Sequence, residues 1–242
     1  MQSASGSLKH VAIIPDGNNR WAKKHGVSSL QAYMRGEDVV ESVVRRAADI
    51  GIPYVTAYLM SLENFEKRSS AWKELFFDFM ERTINKYLVS DELNDVRIKV
   101  IGRPSVLPDH LVEGLRALEE RTFANERAIT FTVAVAYSGR NEIVRAMEKC
   151  FNSILSKQPK LGKIITEEFF EQFLDTSPTP PPDLLIRTSG EQRLSGFLLW
   201  QMAYTEFYFS KKLWPDFSAD DFSAAVEDFY SRKRNFGKDR AE

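Results

Sequence analysis

The chain has 242 residues, with 34 acidic and 33 basic side chains and a formal net charge of −1. This balance argues against a general nucleic-acid binder, because neutralising many phosphates requires a basic face. The 43% of apolar residues exclude a disordered chain, and one cysteine, Cys150, excludes a disulfide framework or thiolate zinc cage and fits a reducing compartment. No apolar run approaches the ~20 residues that span a bilayer. The Ser- and Gly-rich segment Met1–Lys9 lacks the apolar stretch of a signal peptide, so we expect residues 1–9 to be flexible and the protein to be cytoplasmic.

Six short apolar runs predict β-strands, because they are rich in β-branched or aromatic residues and are bounded by Gly, Pro or Asn. The runs are Val11–Ile14, Tyr54–Met60, Val96–Ile101, Ile129–Ala136, Asp183–Ile186 and Glu206–Phe209. Amphipathic stretches predict helices over residues 39–50, 72–87, 107–123, 142–155 and 218–232, the last with a capping box of Ser218 and Asp221. Strands that alternate with helices predict one α/β domain over residues 1–242, with a mainly parallel central sheet flanked by helices.

Polar residues follow the first predicted strand, at the sheet edge where α/β proteins bind ligands. Asp16, Gly17, Asn18, Asn19 and Arg20 combine an acid, a turn, two amides and a cation at a strand-to-helix junction. Backbone N–H groups at a helix N-terminus favour anions, and the carboxylate suits Mg²⁺. An ordinary Asp-Gly turn that caps a helix fits the same spacing equally well.

Three further segments carry polar groups. Ser61 to Arg68 offers a hydroxyl, an amide, an aromatic ring and two cations, although a helix N-cap followed by a solvated charge run is the favoured interpretation of this segment alone. Arg187 to Ser195 holds two arginines and three hydroxyls, which match phosphate oxygens, and its alternative is a surface loop with charge pairs. Glu206 lies among aromatic residues, where a carboxylate needs a partner or a metal unless it faces water at a strand edge.

Several common signatures are absent from the sequence. It contains neither a Gly-x-x-x-x-Gly-Lys loop nor a Gly-x-Gly-x-x-Gly turn after a strand. The three histidines are scattered, and no Gly-x-Ser-x-Gly elbow occurs. Ordinary nucleotide-binding, zinc and hydrolase functions are therefore disfavoured.

Taken together, these segments resemble the cis-prenyltransferase family, which includes undecaprenyl diphosphate synthases. Six collinear motifs carry the resemblance along nearly the whole chain: His10 with Val11–Lys24, Ser61-x-Glu63-Asn64, Ala136–Arg140, Asp183 through Glu206, Leu213–Phe217 and Arg232-x-Arg234-x-Phe236-Gly237. The resemblance implies an α/β fold around a parallel sheet, a hydrophobic tunnel above the active site, Mg²⁺ as cofactor, a homodimer, and allylic and C5 prenyl diphosphates as substrates.

The resemblance also implies roles for individual residues. Asp16 would coordinate Mg²⁺ with Glu206 and help the allylic diphosphate leave. Ser61 and Asn64 would orient the acceptor or relay its proton. The C5 diphosphate would be held by Arg187, Arg193 and Ser195, and the allylic diphosphate and its surroundings would be contacted by Gly17, Asn18, Asn19, Arg20, Trp21, Tyr33, Arg35, Phe65 and Lys67. The aromatic stripe Trp72–Tyr87 would line the tunnel, although core packing explains any single member at least as well.

Most departures from the family pattern fall on the allylic, or donor, side. Asn19 replaces a glycine, Ser29 an arginine and Tyr33 a histidine, while Arg35 offers a partial replacement for the lost charge. Three functions fit this pattern: a synthase with a short product and head-to-middle coupling, as in the lavandulyl-type members; an ordinary undecaprenyl-like elongator; and a non-catalytic partner subunit. The first is slightly favoured by a divergent donor site beside an intact acceptor site.

Overall fold

A computed structural model describes residues 7–93, 95–124, 129–157 and 165–232. It contains one sheet of six strands in the order β3-β4-β2-β1-β5-β6, and every neighbouring pair is parallel. The strands are β1 His10–Ile14, β2 Tyr54–Tyr58, β3 Val96–Gly102, β4 Ile129–Val135, β5 Leu184–Arg187 and β6 Glu206–Phe209. All six predicted strands are therefore confirmed, as is the parallel α/β fold class.

The order in which strands are added to the sheet reverses at β1. The chain leaves β1 for β2 on one side, and later returns past β1 to form β5 on its other side. Ligands of such sheets bind beyond the carboxyl ends of the strands at this reversal. The loops that follow β1, β2 and β5 therefore meet at one place, and these loops carry the polar segments singled out in the sequence.

Eight α-helices surround the sheet in the described part of the chain. They are α1 Asn18–His25, α2 Ser29–Asp49, α3 Leu62–Lys67, α4 Ser70–Val89, α5 Asp109–Thr122, α6 Gly139–Lys157, α7 Glu167–Glu171 and α8 Ala219–Ser231. The predicted capping box at the last helix is confirmed, since the Ser218 hydroxyl accepts from the Asp221 backbone N–H and the Asp221 carboxylate accepts from that of Ser218. A second capping box, of Ser28 and Gln31, begins α2.

Two hydrophobic cores lie on opposite faces of the sheet, because successive strand side chains point to opposite sides. Val11 and Ile13 face the larger core, where α2, α4, α5 and α8 pack. Ala12 and Ile14 face the smaller core, where the turns after β5 contribute aliphatic and aromatic side chains. The larger core also surrounds the cavity described below.

The last residues of the start that we expect to be flexible, Leu8 and Lys9, contact the body of the protein. Leu8 is buried, its backbone N–H donates to the Tyr230 hydroxyl at 3.1 Å, and that of Lys9 donates to Asp183 Oδ2 at 2.8 Å. Residues 1–6 lie outside the described residues, as do Arg234, Phe236 and Gly237 of the last motif. Hydrogen bonds to the body of the protein therefore hold Leu8 and Lys9, the two residues that precede β1.

Candidate active site

The loop after β1 is held in a conformation that only glycine adopts without strain. Gly17 has φ 111°, and a Cβ at this position would lie 2.9 Å from Leu213 Cδ2. The preceding Asp16 carbonyl accepts from the Trp214 N–H at 3.0 Å. This turn ends β1, starts α1 at Asn18 and leaves the Asp16 carboxylate at the carboxyl edge of the sheet.

A buried arginine joins the loops after β1 and β5. Arg187 Nη2 donates to Asp16 Oδ2 at 2.8 Å, and the arginine side chain is only 4% exposed. Its Nη1 donates to Ser195 Oγ at 2.9 Å and to the Arg193 carbonyl. Its Nε is buried without a hydrogen-bond partner. The Arg187 guanidinium therefore organises the loop and keeps one donor free for a further ligand.

Two more of the predicted arginines, Arg20 and Arg193, share one carboxylate. Arg20 Nη2 lies 3.5 Å from Glu191 Oε1, and Arg193 Nη1 donates to Glu191 Oε2. Arg20 also lies 3.8 Å from Asp16 Oδ1. The side chains of Arg20 and Arg193 are 50% and 58% exposed, so both cations are accessible from solvent. The site thus presents two open arginines above one buried arginine.

Thr188 fastens the two loops to each other. The Asp16 N–H donates to Thr188 Oγ1 at 2.9 Å, and the Thr188 hydroxyl donates to the Asp16 carbonyl at 2.7 Å. Ser189 and Ser195 adopt the left-handed conformation, with φ of 78° and 52°. The Ser189 hydroxyl is buried without a partner. Left-handed serines and orphaned polar atoms are costly, which is a feature of functional sites.

In the segment after β2, Ser61 caps a helix, whereas Asn64 faces the cavity. Ser61 is the N-cap of α3, and its hydroxyl accepts from the Asn64 N–H at 3.0 Å. The capping interpretation is therefore correct for Ser61, whereas the Asn64 side chain lines the cavity. Tyr58 supports this arrangement from below, because its hydroxyl donates to the carbonyls of Tyr137 and Ser195 at 3.0 and 3.3 Å. Burial raises the pKa of Tyr58, which keeps this donor protonated.

A cavity of about 350 Å³ opens beside the loops that follow β1 and β2 and extends between α2, α4 and the sheet. Its polar end includes Asp16, Asn18, Arg20 and Asn64. The walls beyond are mostly apolar and comprise Val40, Val44, Leu59, Met60, Trp72, Phe76, Phe79, Met80, Ile84, Ile98, Val100, Leu115, Leu118, Phe131 and Val133. The predicted aromatic stripe on α4 therefore faces an elongated hydrophobic tunnel, as the resemblance implied.

Two departures from the family pattern touch each other at the tunnel mouth. The Tyr33 hydroxyl donates to Asn19 Oδ1 at 3.4 Å and accepts from Trp72 Nε1 at 2.9 Å. The Arg68 guanidinium stacks over the Trp72 ring at 5.0 Å. Burial raises the pKa of Tyr33, against the hydrogen bond from Trp72 and the nearby Arg68 charge, so the hydroxyl stays neutral. A hydrogen-bonded chain therefore links α1, α2 and α4 where the family has a glycine and a histidine.

The structure does not bring Trp21 or Arg35 to the cavity. Trp21 Nε1 donates to Asp216 Oδ1 at 2.7 Å, and its ring stacks on His25 with centroids 4.3 Å apart. Arg35 is exposed and lies 3.8 Å from Asp38 Oδ2. Arg35 therefore does not replace the lost donor-site charge in this arrangement.

Phe65 and Lys67 also lie outside the cavity lining. Phe65 is buried, packs against Phe77 and receives Lys73 Nζ over its ring at 4.5 Å. Lys67 is exposed in the last turn of α3. The helical path of α3 directs Asn64 towards the cavity and these two side chains elsewhere.

Glu206 and Asp16 lie at opposite ends of the strands within one chain. In the parallel register Glu206 pairs with Leu184, which pairs with Val11, five residues before Asp16. The Glu206 carboxylate accepts from Arg232 Nη1 at 3.0 Å. The ion pair satisfies this strand-edge acid, and the two expected metal ligands do not share a site within the chain.

Asp16 fits a magnesium ion, whereas a complete protein-only cage is missing. Mg²⁺ commonly takes one or two carboxylates and completes its shell with water and substrate phosphate oxygens. The partly exposed Asp16 carboxylate, beside arginines that suit phosphate, has this donor chemistry. Among the described residues, no cluster of three His, Cys, Asp or Glu side chains is placed to hold a metal by itself.

The sequence motifs named the loops that meet at this edge of the sheet, but they missed several residues that contact the predicted site residues. Glu191, Arg68 and Thr188 stand inside the motifs, so their positions carried a signal that spacing alone did not turn into a role. Tyr58 lies in a strand and reaches the site only through the fold, so no local pattern identifies it. The described residues also include no helix that is both long and apolar enough to cross a membrane.

Comparisons with known proteins agree with this geometry. The family model described as putative undecaprenyl diphosphate synthase matches residues 14–237. The chain is 42% identical over 231 residues to an isoprenyl transferase of Thermotoga maritima, covering 95% of this chain and 96% of that protein. It is 40% identical over 234 residues to the tritrans,polycis-undecaprenyl-diphosphate synthase (geranylgeranyl-diphosphate specific) of Picrophilus torridus, covering 95% of this chain and 89% of that one.

Two solved structures are similar over nearly their whole length. Lavandulyl diphosphate synthase from Lavandula x intermedia, in complex with dimethylallyl diphosphate, matches with a TM-score of 0.85 and 37% identity, covering 96% of this chain and 98% of that one. A probable undecaprenyl diphosphate synthase from Campylobacter jejuni matches with a TM-score of 0.77 and 28% identity, covering 96% and 100%. The chain therefore belongs to the undecaprenyl diphosphate synthase family of cis-prenyltransferases, and it is a prenyltransferase that makes prenyl diphosphates.

Proposed function

We propose that this enzyme is a Mg²⁺-dependent synthase that transfers a short allylic prenyl group to a C5 prenyl diphosphate. The observation that carries the proposal is the position of Asp16 and Arg20 at the polar end of an apolar cavity of about 350 Å³, where Arg187 is paired with Asp16 and Arg193 shares Glu191 with Arg20. This volume is near the lower end of the ~300–1,000 Å³ range of small-ligand sites. A short tail below a charged head matches that shape.

The arginines bind diphosphate by competition with Glu191. Glu191 contacts both Arg20 and Arg193, and a diphosphate offers these guanidinium groups more charge and more acceptor oxygens than one carboxylate. We assign Arg193, Ser195 and the free Nε of Arg187 to the C5 diphosphate. Arg20 and the α1 N-terminus, with Gly17 and Asn18, serve the allylic diphosphate.

The reaction breaks the bond between the allylic carbon and its diphosphate oxygen, and the diphosphate departs with the electron pair. The acceptor double bond supplies the electrons of the new carbon–carbon bond, and the acceptor then loses one proton. Asp16 would hold Mg²⁺ together with substrate phosphate oxygens, and the ion would supply positive charge to the departing group. Asn64 lines the cavity and orients the acceptor as its proton leaves, while Ser61 holds Asn64 in place by capping α3.

Head-to-middle coupling is the mode that we propose for this chain. Its support is the pair of donor-side departures, Asn19 and Tyr33, together with 37% identity to the lavandulyl diphosphate synthase, whose structure contains dimethylallyl diphosphate. Regular cis-elongation with isopentenyl diphosphate is the second candidate. Its support is the 40% identity to a relative named as an undecaprenyl diphosphate synthase. The retained charged cluster argues against the third alternative, a non-catalytic partner subunit.

Product analysis tests the proposal directly. Purified enzyme is incubated with Mg²⁺ and dimethylallyl diphosphate alone, with isopentenyl diphosphate added, and with geranyl in place of dimethylallyl diphosphate. A branched C10 product from dimethylallyl diphosphate alone supports head-to-middle coupling. A regular C55 product from isopentenyl diphosphate refutes the short product, and turnover that persists undiminished in EDTA refutes the role of Mg²⁺.

A homodimer is proposed as the working state, with a second copy of this chain on the exposed face of α6. Val144, Met147, Phe151 and Leu155 recur at helical spacing on that face, and each side chain is more than half exposed. An apolar stripe of this kind marks an association surface in soluble proteins. We also propose a cytoplasmic location, because Cys150 is buried as a free thiol, in keeping with a reducing compartment.

A further inference from the structure

Carboxylates interrupt the apolar tunnel along the seam where α2 faces α4. Glu37 and Glu41 line the cavity together with Val40, Val44 and Phe79. The side chains of Glu37 and Glu41 are only 12% and 25% exposed. Acidic groups on the wall of a prenyl tunnel are unexpected, because a hydrocarbon tail cannot hydrogen-bond to them.

Polar groups from α4 hold these carboxylates in position. Glu37 Oε2 accepts from the Thr83 hydroxyl at 2.8 Å, and its Oε1 accepts from Lys86 Nζ at 3.2 Å. The same ammonium group lies 3.4 Å from Glu41 Oε2 and 3.7 Å from Glu92 Oε2. We call the set Glu37, Glu41, Thr83 and Lys86 the polar seam.

Lys86 is the centre of the polar seam and carries its positive charge throughout the working pH range. Burial alone lowers the pKa of this ammonium, but Tyr87 and the hydrogen bond and charge of Glu37, with Glu41, raise it above its ordinary value. The charge is therefore fixed between two helices beside an apolar cavity. Separating these groups to admit a hydrocarbon chain would leave charges without their partners.

The polar seam lies at a definite depth in the tunnel. On α2, Glu37 and Glu41 follow the mouth residue Tyr33 by four and eight residues, or about 6 and 12 Å at the helical rise. On α4, Thr83 follows the mouth residue Trp72 by eleven residues, or about 16 Å. One isoprene unit advances a chain by about 5 Å, since it adds four foreshortened bonds of about 1.5 Å. Measured along the two helices, the seam therefore spans about 6 to 16 Å from the mouth, which is the depth of the second to fourth isoprene units.

We propose that the polar seam limits the length of the prenyl tail that the tunnel accepts. A tail of two or three units packs against the aromatic upper wall, whereas a longer tail must lie along ionised groups that keep their hydrogen bonds to one another. The inference rests on the proposed function, because it names what restricts the tail in the same site. It applies equally to an incoming donor and to a growing product.

The test replaces both members of the central ion pair with apolar side chains of similar size. In the double variant Glu37→Leu with Lys86→Met, no charge of this pair is orphaned, and Glu41 keeps its contact with Arg45 at 2.8 Å. The matched control is Asp78→Ala with Arg82→Ala, which removes an exposed ion pair of α4 outside the cavity lining. Circular dichroism verifies that each variant is folded.

Two readouts follow the tail length. The first is the kcat/KM ratio of farnesyl to dimethylallyl diphosphate with a common acceptor, which we expect to rise at least tenfold in the double variant and to stay unchanged in the control. The second is the product length distribution with isopentenyl diphosphate, which we expect to extend by one unit or more. Unchanged selectivity and length in an active, folded double variant overturn the inference, and so does an equal shift in the control.

Binding measurements separate this inference from the proposed function. Non-reactive thiolodiphosphates with C5, C10, C15 and C20 tails are titrated calorimetrically into wild type and variants. We expect wild-type affinity to fall beyond C10 to C15 and the double variant to restore the longer tails. Absence of turnover with every donor would refute the proposed function, whereas wild-type affinity that keeps rising to C20 would refute the polar seam. The single variant Glu37→Gln removes one charge with little change of shape. If the double variant does not fold, the inference requires that Glu37→Gln partly restore affinity for the longer tails.

Discussion

Substitution of Asp16 by asparagine separates the chemical role of this carboxylate from its structural role. The side chain keeps its size but loses the charge that pairs with Arg187 at 2.8 Å. Exposed ion pairs contribute about 0–1 kcal/mol, and breaking a buried pair costs about 3–5 kcal/mol. Arg187 is 4% exposed and Asp16 31% exposed, so this pair lies between the two classes. We therefore expect the free energy of unfolding to fall by about 1–3 kcal/mol.

The effect on turnover should be much larger than this loss suggests. Asp16 is assigned to the departing diphosphate, so its charge acts mainly in the transition state. Removal of one preorganised group from such a site lowers kcat by about 100- to 1,000-fold. We expect that loss in kcat with a smaller change in KM, because ground-state binding of the diphosphates depends chiefly on Arg20 and Arg193.

Steady-state kinetics and denaturant unfolding, measured on the same preparations, test both numbers. The matched control is Asp175→Asn, which weakens another partly buried ion pair, in which Arg145 Nη1 donates to Asp175 Oδ1 at 2.9 Å, outside the cavity lining. The control should lose comparable stability with kcat within about twofold of wild type. Near-normal kcat in Asp16→Asn would remove Asp16 from its assigned role. Equal losses of kcat in both variants would mean that destabilisation, not chemistry, explains the effect.

Two further predictions concern stability and assembly. His10 is buried with Nδ1–H donating to the Pro180 carbonyl at 2.6 Å and Nε2 accepting from Thr56 at 2.8 Å, and desolvation lowers its pKa from 6.5 to about 4. The folded state therefore disfavours protonation of the His10 imidazole, whereas the unfolded state allows it. The contribution of neutral His10 to the free energy of unfolding is fully present above pH 6.5 and declines by about 3 kcal/mol as the pH falls to 4. Urea unfolding between pH 7 and 5 should show this slope in wild type and lose it in His10→Gln, and equal slopes would contradict the assignment. For assembly, Phe151→Glu should convert the proposed dimer to monomer in light scattering, while Lys149→Glu, a charge change on the neighbouring exposed face of α6, should not; a monomeric wild type refutes the α6 interface.

The sheet was predictable because each strand has a recognisable local sequence pattern. Runs such as Val11–Ile14 and Ile129–Ala136 combine β-branched residues with clear boundaries, and buried parallel strands have this composition. The rule that ligands bind at the carboxyl ends of parallel strands then selected the loops at Asp16 and Arg187. Local pattern and one rule of topology were sufficient to find the charged end of the cavity.

Residues outside those loops were not predictable in the same way. Glu206 stands in a matching motif, but only the parallel register with Leu184 shows that it lies at the other end of the sheet from Asp16. The stripe on α4 was visible as a helical period, whereas its division into cavity wall and core depends on how α2 crosses it. Glu37 and Lys86 belong to different helices, and neither helix alone indicates that they meet beside the tunnel.

The donor-side departures are best understood as one coupled change. Asn19 and Tyr33 replace a glycine and a histidine at separate positions, yet the tyrosine hydroxyl donates to the asparagine at 3.4 Å and accepts from Trp72 at 2.9 Å. A neutral hydrogen-bonded chain thus occupies the place of a titratable group, and its members, unlike a histidine, do not change charge near neutral pH. In the function proposed above, donor binding would therefore depend on Arg20 for charge and on the aromatic side chains at the tunnel mouth for shape, and this arrangement favours a small allylic group.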